Sequence, residues 1–161
     1  AALSPFNAFQ IIQGLETLAL RIRAHSENAA RVADFLADHP AVTRVIYPGR
    51  QEGVAKTRAD TYLTGGYGGL VGFELADGAD AGRRFIDALK LFYHVANIGD
   101  ARSLAIHPAT TTHSQLAPEE QALSGVSPGY VRLSIGIEHI DDILGDLDQA
   151  LTVGGQRVAA E

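Results

Sequence analysis

The segment from Tyr130 to Glu138 has the most regular pattern in the chain and restricts its fold the most. Val131, Leu133, Ile135 and Ile137 occupy every second position, with polar or small residues between them. A period of two is that of a β-strand with one face against a hydrophobic core. The segment therefore predicts a strand whose apolar side chains face inward, and it places a sheet in the fold.

Arg132 belongs to the other set of this strand, so we expect it on the face opposite the core. Its guanidinium is a planar fork of donors that matches a carboxylate in a bidentate manner. The residue is therefore a candidate for binding a carboxylate-bearing ligand. The alternative is an ordinary surface arginine paired with a neighbouring carboxylate, which contributes little.

The N-terminal part of the chain predicts one long helix over about residues 4–38. Ser4 can cap its N-terminus and Pro5 suits the first helical position. Apolar residues then recur at spacings of three and four up to Leu36. We expect a bend near Gly14 or a break near Ser26, because glycine and serine weaken the helix.

The remaining patterns predict an α+β fold with a small, largely antiparallel sheet and helices packed on one face. Strands are expected over 42–47 and 70–76, with a strand or turn over 94–98. Helices are expected over 79–91, at 118–121 and from about 139 onwards, whereas residues 50–69 are expected to be irregular. We expect one domain over residues 1–153 and a flexible tail over 154–161.

Composition excludes several classes of function. The chain has no cysteine, which excludes disulfides and thiolate chemistry, and its net charge of −6 with scattered basic residues argues against nucleic-acid binding. Its six histidines show no metal-ligand spacing, so we expect no metal site. No apolar run is long enough to span a membrane, and we expect a cytoplasmic protein without membrane contact.

Polar side chains concentrate in two neighbouring segments, Asn97–Asp100 and His107–Ser114. Polar groups on loops of a rigid scaffold often form binding sites. The alternative is a threonine-rich turn network in which the hydroxyls bond only to the local backbone. The pattern by itself leaves both interpretations open.

Four segments, in this order, together resemble the Cys/Met-metabolism family of pyridoxal-phosphate (PLP) enzymes. They are Ser4–Leu18, Asn97–Leu104, His107–His113 and Val131–Gly136. The resemblance covers about residues 3–152. It implies the small C-terminal domain of a fold-type-I enzyme, with the aspartate-aminotransferase-like fold, and a larger cofactor-binding domain that is absent from this chain.

The resemblance also implies roles for three residues. The arginine at the position of Arg132 binds the substrate α-carboxylate in this family, and the loop at Asn97 lies against the same carboxylate. Thr112 is a further candidate for the substrate site. Asn97, together with the later Thr-Thr-His, is similar to the O-acetylhomoserine sulfhydrylase branch of the family.

That branch converts O-acetylhomoserine and sulfide or methanethiol to homocysteine or methionine and acetate by PLP-dependent γ-replacement. Its members are homo-oligomers, dimers or tetramers. The chain has only Lys56 and Lys90, neither in the serine-rich context of the family's Schiff-base lysine. We therefore expect PLP in the complete enzyme but none bound to this chain, which has no catalytic or cofactor-binding residue and is inactive alone.

Two alternatives remain open at this point. One is the corresponding domain of a methionine γ-lyase or a cystathionine γ-synthase. The other is a non-catalytic α+β module for interaction or ligand sensing.

Overall fold

The computed structural model describes residues 2–155, which form one five-stranded sheet and six α-helices. The strands are β1 (Val42–Ile46), β2 (Leu70–Leu75), β3 (Tyr93–His94), β4 (Leu104–Ile106) and β5 (Tyr130–Ser134). The helices are α1 (Pro5–Glu16), α2 (Leu18–Asp38), α3 (Gly53–Tyr62), α4 (Gly78–Ala88), α5 (Pro118–Leu123) and α6 (Ile140–Gly154).

The sheet has the strand order β1-β2-β5-β4-β3, with β5 in the middle. The pairs β1–β2, β2–β5 and β5–β4 are antiparallel, and only the short β3 runs parallel to its neighbour β4. The prediction of a largely antiparallel sheet is therefore confirmed. Because β5 is flanked on both sides, its side chains are held in a rigid setting.

The hydrophobic core lies between one face of the sheet and the helices α2, α4 and α6. Val131 and Leu133 of β5 are fully buried in it, as their alternation predicted. The helices contribute the buried residues Ala29, Val32, Ala33, Leu36, Ala81, Phe85, Ile86, Ile143, Leu147, Ala150 and Leu151. The predicted α+β class with helices packed on one face is confirmed.

The central strand is shorter than predicted, because it ends at Ser134 instead of Glu138. Beyond it the chain leaves the sheet, and the Ile137 N–H donates to the carbonyl of Ala101 at 2.9 Å. Ile137 is consequently 41% exposed, so the prediction that it faces the core was wrong. Gly136 allows this path, since a Cβ there would collide with the backbone of residues 101–103.

The predicted N-terminal helix over residues 4–38 is two helices, interrupted at Thr17. The predicted positions, Gly14 and Ser26, both lie inside helices. Arg21 donates from its guanidinium to the Gly14 carbonyl and to the Thr17 hydroxyl. Regular hydrogen bonds between helix amides and carbonyls stop at the interruption. The Arg21 side chain therefore supplies a donor to the Gly14 carbonyl near the end of α1.

One further helix and one helix boundary also differ from the prediction. Residues 50–69 contain α3, which was missed because none of its residues is buried and it has no apolar stripe. The helix predicted over 79–91 ends at Ala88, so Lys90 lies beyond it and not within a helix. The carboxylate of Asp146 binds the amides of residues 90–92 at 2.8–3.3 Å and so stabilises the non-helical turn.

The C-terminal boundary predicted at 153 falls inside α6, which continues to Gly154 and is capped by Gly155. Most of the predicted flexible tail, residues 156–161, lies outside the described residues.

Candidate functional site

Arg132 lies in the middle of β5, opposite Gly72 of β2 and Ile106 of β4. The alternation of the strand places it on the sheet face away from α2, α4 and α6, because its neighbours Val131 and Leu133 belong to the core. The side chain is half-buried. Its position agrees with the prediction made from the period of the strand.

The guanidinium of Arg132 is held by backbone carbonyls. Its Nη2 donates to the carbonyl of Ala96 at 2.7 Å and to that of Asn97 at 3.3 Å. Its Nε is shielded from solvent and has no hydrogen-bond partner among the described residues. A buried donor without a partner is uncommon in folded proteins.

No carboxylate in residues 2–155 lies within ion-pair distance of Arg132. The alternative of a surface arginine paired with a neighbouring acid therefore does not describe this residue. Carbonyl oxygens orient the guanidinium but do not neutralise its charge. The positive charge and the remaining donors stay available to an anion.

The loop that contains Ala96 and Asn97 lines an open cavity of about 560 Å³ next to the guanidinium. We call residues 96–100 the cavity loop; together with Arg132 they form the cavity wall. The only acid among them, Asp100, accepts a hydrogen bond from the Arg102 amide at 3.0 Å. The cavity is large enough to admit a small molecule whose carboxylate contacts the guanidinium.

The structure brings Asn97 together with Arg132. Its carbonyl accepts from the guanidinium, and the residue is exposed on the cavity wall. No hydrogen bond of the Asn97 side-chain amide occurs within residues 2–155, so the amide is free to contact a ligand.

Thr112 is not brought into this cavity. It is exposed, and its hydroxyl lies 2.9 Å from His113 Nδ1. Nearby hydroxyls bond to the local backbone, as in Thr111 to His107 O and Ser114 to Thr111 O. The two polar segments therefore differ: residues 96–100 line a cavity, whereas residues 107–115 form a turn network.

Tyr130 forms another part of this sheet face. Its ring lies against Gly72, where a Cβ would collide with the ring, so glycine leaves the space that the ring occupies. Burial raises the pKa of the Tyr130 hydroxyl above its usual value, with Glu74 acting in the same sense and Arg132 in the opposite one. The hydroxyl is therefore neutral beside the charged Arg132.

Ser134 is a residue of this site that the sequence reasoning missed. It is 3% exposed, and its hydroxyl accepts from the Gly99 N–H of the cavity loop at 3.0 Å. A signal was available, since Ser134 follows Arg132 by two residues and must share its face of the strand.

A second cavity of about 340 Å³ adjoins the first, and the two share Ile98 and Gly99. His25 lines it and is 3% exposed, with Nδ1 2.6 Å from the Ile135 carbonyl. A carbonyl only accepts, so Nδ1 carries a proton and donates. Nε2 has no partner among the described residues.

Neither lysine is suited to bind an aldehyde cofactor beside Arg132. Lys56 lies in α3, 2.6 Å from Asp60 and 3.2 Å from the Tyr67 hydroxyl. The hydrogen bonds to Asp60 and Tyr67 raise the pKa of Lys56 and so favour the ammonium over the reactive amine. Lys90 lines a different cavity, with Arg102 and Glu138.

The described residues contain no group of three histidine, aspartate or glutamate side chains arranged to hold a metal ion. Within the same residues, no helix is long and apolar enough to cross a membrane.

The family model described as Cys/Met metabolism PLP-dependent enzyme matches residues 1–152. The O-acetyl-L-homoserine sulfhydrylase of Leptospira meyeri is 55% identical over 93% of this chain and 34% of its own length. O-acetyl-L-homoserine sulfhydrylase 1 of Thermus thermophilus is 50% identical over 93% of the chain and 36% of its length. The L-methionine gamma-lyase of Pseudomonas putida is 48% identical over 94% of the chain and 38% of its length.

Among solved structures, a putative O-acetylhomoserine (thiol)-lyase from Campylobacter jejuni has a TM-score of 0.86 and 44% identity. The match covers 94% of this chain and 36% of that one, which carries a pyridoxyl-lysine phosphate. The chain thus spans about a third of the length of the relatives that it matches.

Proposed function

The chain belongs to the Cys/Met-metabolism family of PLP-dependent enzymes, and from that membership we propose that it is the substrate-carboxylate-binding, C-terminal domain of an O-acetylhomoserine sulfhydrylase. The reaction replaces the acetate of O-acetylhomoserine by sulfide or methanethiol. It breaks the bond from the γ-carbon to oxygen, forms one to sulfur, and yields homocysteine or methionine.

The observation that carries this proposal is the unneutralised guanidinium of Arg132 at the wall of the cavity. Two carbonyls of the cavity loop orient it, and its remaining donors have no anion among the described residues. We propose that Arg132 binds the α-carboxylate of the amino-acid substrate. Asn97 lies beside it, whereas Thr112 would need to act from outside the cavity wall that residues 96–100 form.

PLP supplies the electron sink for reactions at the γ-carbon of an amino acid when it is bound. The lysines of this chain do not fit its attachment, because Lys56 is paired with Asp60 and Lys90 lies at another cavity. We propose that another part of the protein holds the cofactor. This chain would then orient the substrate and would be inactive alone.

The exposed apolar side chains of α1 support the same arrangement. None of its residues is buried, and the five large apolar residues Phe6, Phe9, Ile11, Ile12 and Leu15 are each more than half exposed. An apolar surface of this size normally lies against another protein surface. We propose that the cofactor-binding part of the protein covers it, in a cytoplasmic homo-oligomer.

A turnover assay on the enzyme that contains this chain and its cofactor-binding part tests the proposal. O-acetylhomoserine with sulfide should give homocysteine and acetate in a 1:1 ratio. The 48% identity to a methionine gamma-lyase favours one second candidate, which methionine alone would identify by release of methanethiol. Turnover of methionine without sulfhydrylation of O-acetylhomoserine would overturn the proposal in favour of that lyase.

A further inference from the structure

Only three hydrogen bonds join residues 96–99 of the cavity loop to the rest of the described chain. Two are those from Arg132 to the carbonyls of Ala96 and Asn97, and the third runs from the Gly99 N–H to the Ser134 hydroxyl. All four loop residues are exposed, so burial contributes little to their placement. A segment with so few buried contacts opens easily unless its hydrogen bonds hold it.

The third hydrogen bond has its acceptor in the central strand of the sheet. Ser134 lies at the end of the central strand, between Leu70 of β2 and Leu104 of β4, and is nearly fully buried. Arg132 and Ser134 are two residues apart on one face of this strand. One strand therefore supplies both the guanidinium and the acceptor that holds the loop against it.

Gly99 makes this attachment possible. Its φ of 75° lies in the left-handed region that glycine adopts without strain. The backbone bends there, and the Gly99 amide donates to Ser134 while the carbonyls of Ala96 and Asn97 accept from Arg132. The loop is thus held at both ends.

We infer that Ser134 is a positioning residue of the carboxylate site. Its hydroxyl fixes the Gly99 end of the cavity loop, and the loop carbonyls in turn fix the direction of the Arg132 guanidinium. Ser134 does not contact the substrate in this arrangement; it acts through the loop. The inference rests on the proposed function in one respect, since it takes the ligand of Arg132 to be an amino-acid carboxylate.

The kinetic test replaces Ser134 by alanine in the cofactor-loaded enzyme. The KM for O-acetylhomoserine should rise roughly five- to tenfold, the effect of losing one neutral hydrogen bond. The KM for sulfide and kcat should stay within about twofold, because neither depends on how tightly the substrate carboxylate is bound. Ser134→Thr keeps the acceptor oxygen and should restore most of the affinity for O-acetylhomoserine.

Ser127→Ala is the matched control. Its hydroxyl is also buried but has no hydrogen-bond partner among the described residues, so its removal should leave both KM values unchanged. An equal rise of both KM values in Ser134→Ala, or no rise in either, would overturn the inference.

Hydrogen–deuterium exchange on the same enzyme separates this inference from the proposed function. In Ser134→Ala, the Gly99 amide should exchange several-fold faster and so raise early deuterium uptake in a peptide that covers residues 95–100, whereas uptake in α6 should not change. This result does not depend on which substrate the enzyme uses. Unchanged uptake over 95–100 would refute the role of Ser134 even if sulfhydrylation were confirmed.

Discussion

Arg132 combines a full positive charge with a geometry set by neutral backbone oxygens. A carboxylate salt bridge would have satisfied the side chain internally, whereas carbonyls leave its charge to attract a ligand. The Nη1 nitrogen has no hydrogen-bond partner among the described residues, so it is the donor of this side chain that a bound carboxylate can contact. The residue is arranged for an anion that comes from outside the described chain.

Replacing Arg132 by lysine should therefore lower kcat/KM for O-acetylhomoserine in the cofactor-loaded enzyme. A lysine ammonium cannot form the two parallel bonds of a guanidinium, and the loss should be about 2–3 kcal/mol. Steady-state kinetics measures it directly. Arg44→Lys serves as a control, because Arg44 is exposed and its partner Glu74 is 3.6 Å away. An unchanged kcat/KM in Arg132→Lys would show that the arginine is structural.

His107 shows how a buried histidine can be purely structural. Its Nε2 donates to the Pro128 carbonyl at 2.7 Å, and Nδ1 lies 2.9 Å from the Thr110 hydroxyl, so the neutral ring has both nitrogens satisfied. Burial lowers the pKa of His107 below 6.5; Arg83 and His94 act in the same sense, and the bond to Pro128 opposes them.

This lowered pKa predicts a loss of stability in acid. Between pH 6.5 and the lower folded pKa, the unfolded chain binds a proton at His107 and the folded chain does not. The free energy of unfolding should therefore fall as the pH falls through this window, and then level off with respect to His107. Urea unfolding at several pH values from 7 to 5 measures this dependence. The free energy of unfolding should fall less with decreasing pH in His107→Gln than in the unchanged protein, and an equal fall in both would contradict the prediction.

At the scale of elements, two helical glycines, one in α4 and one in α6, differ in the space around them. Gly82 of α4 lies directly against the His107 ring, and Gly145 of α6 has no atom within 4 Å of where a Cβ would be. Both are helical glycines. A helix prefers alanine to glycine at both positions, but only Gly145 has space for the added methyl group. Substitutions at the two positions therefore distinguish the helix preference from the effect of packing.

Gly82→Ala should destabilise the protein by about 1–3 kcal/mol, because the His107 ring cannot move without losing its two hydrogen bonds. Gly145→Ala should instead stabilise it by about 0.5–1 kcal/mol, since alanine loses less backbone entropy than glycine. Thermal or urea unfolding of the two variants tests both signs. A stabilising Gly82→Ala would mean that the ring has space to shift.

At the scale of the whole molecule, the described residues form one well-packed core and leave the helix α1 outside it. Helices α2, α4 and α6 bury the inner face of the sheet, whereas α1 buries none of its residues. A helix of 12 residues without tertiary packing is marginal in water. Its stability should therefore depend on whatever covers its apolar side chains.

Amide exchange of the chain alone, compared with the complete enzyme, should reveal this dependence. In the chain alone, α1 should exchange much faster than α6, because only α6 is anchored in the core. In the complete enzyme α1 should become protected if the cofactor-binding part covers it. Equally fast exchange of α1 in both samples would exclude that contact.

The sequence by itself predicted the features that depend on one local period. Alternation in β5 placed Val131 in the core and Arg132 on the opposite face, and the apolar stripe of the last helix predicted α6. Both predictions are confirmed, because a period of 2 or 3.6 is a property of the chain alone. The roles that the resemblance gives to Arg132 and Asn97 stay predictions.

The tertiary structure decided what depends on contacts between distant segments. The amides that Asp146 binds lie more than fifty residues away in the sequence, and they set the turn after α4. The role of Ser134, the absence of Thr112 from the cavity and the exposure of Ile137 arise in the same way. No local pattern encodes such contacts, because they exist only when the folded backbone brings two distant segments within hydrogen-bonding distance.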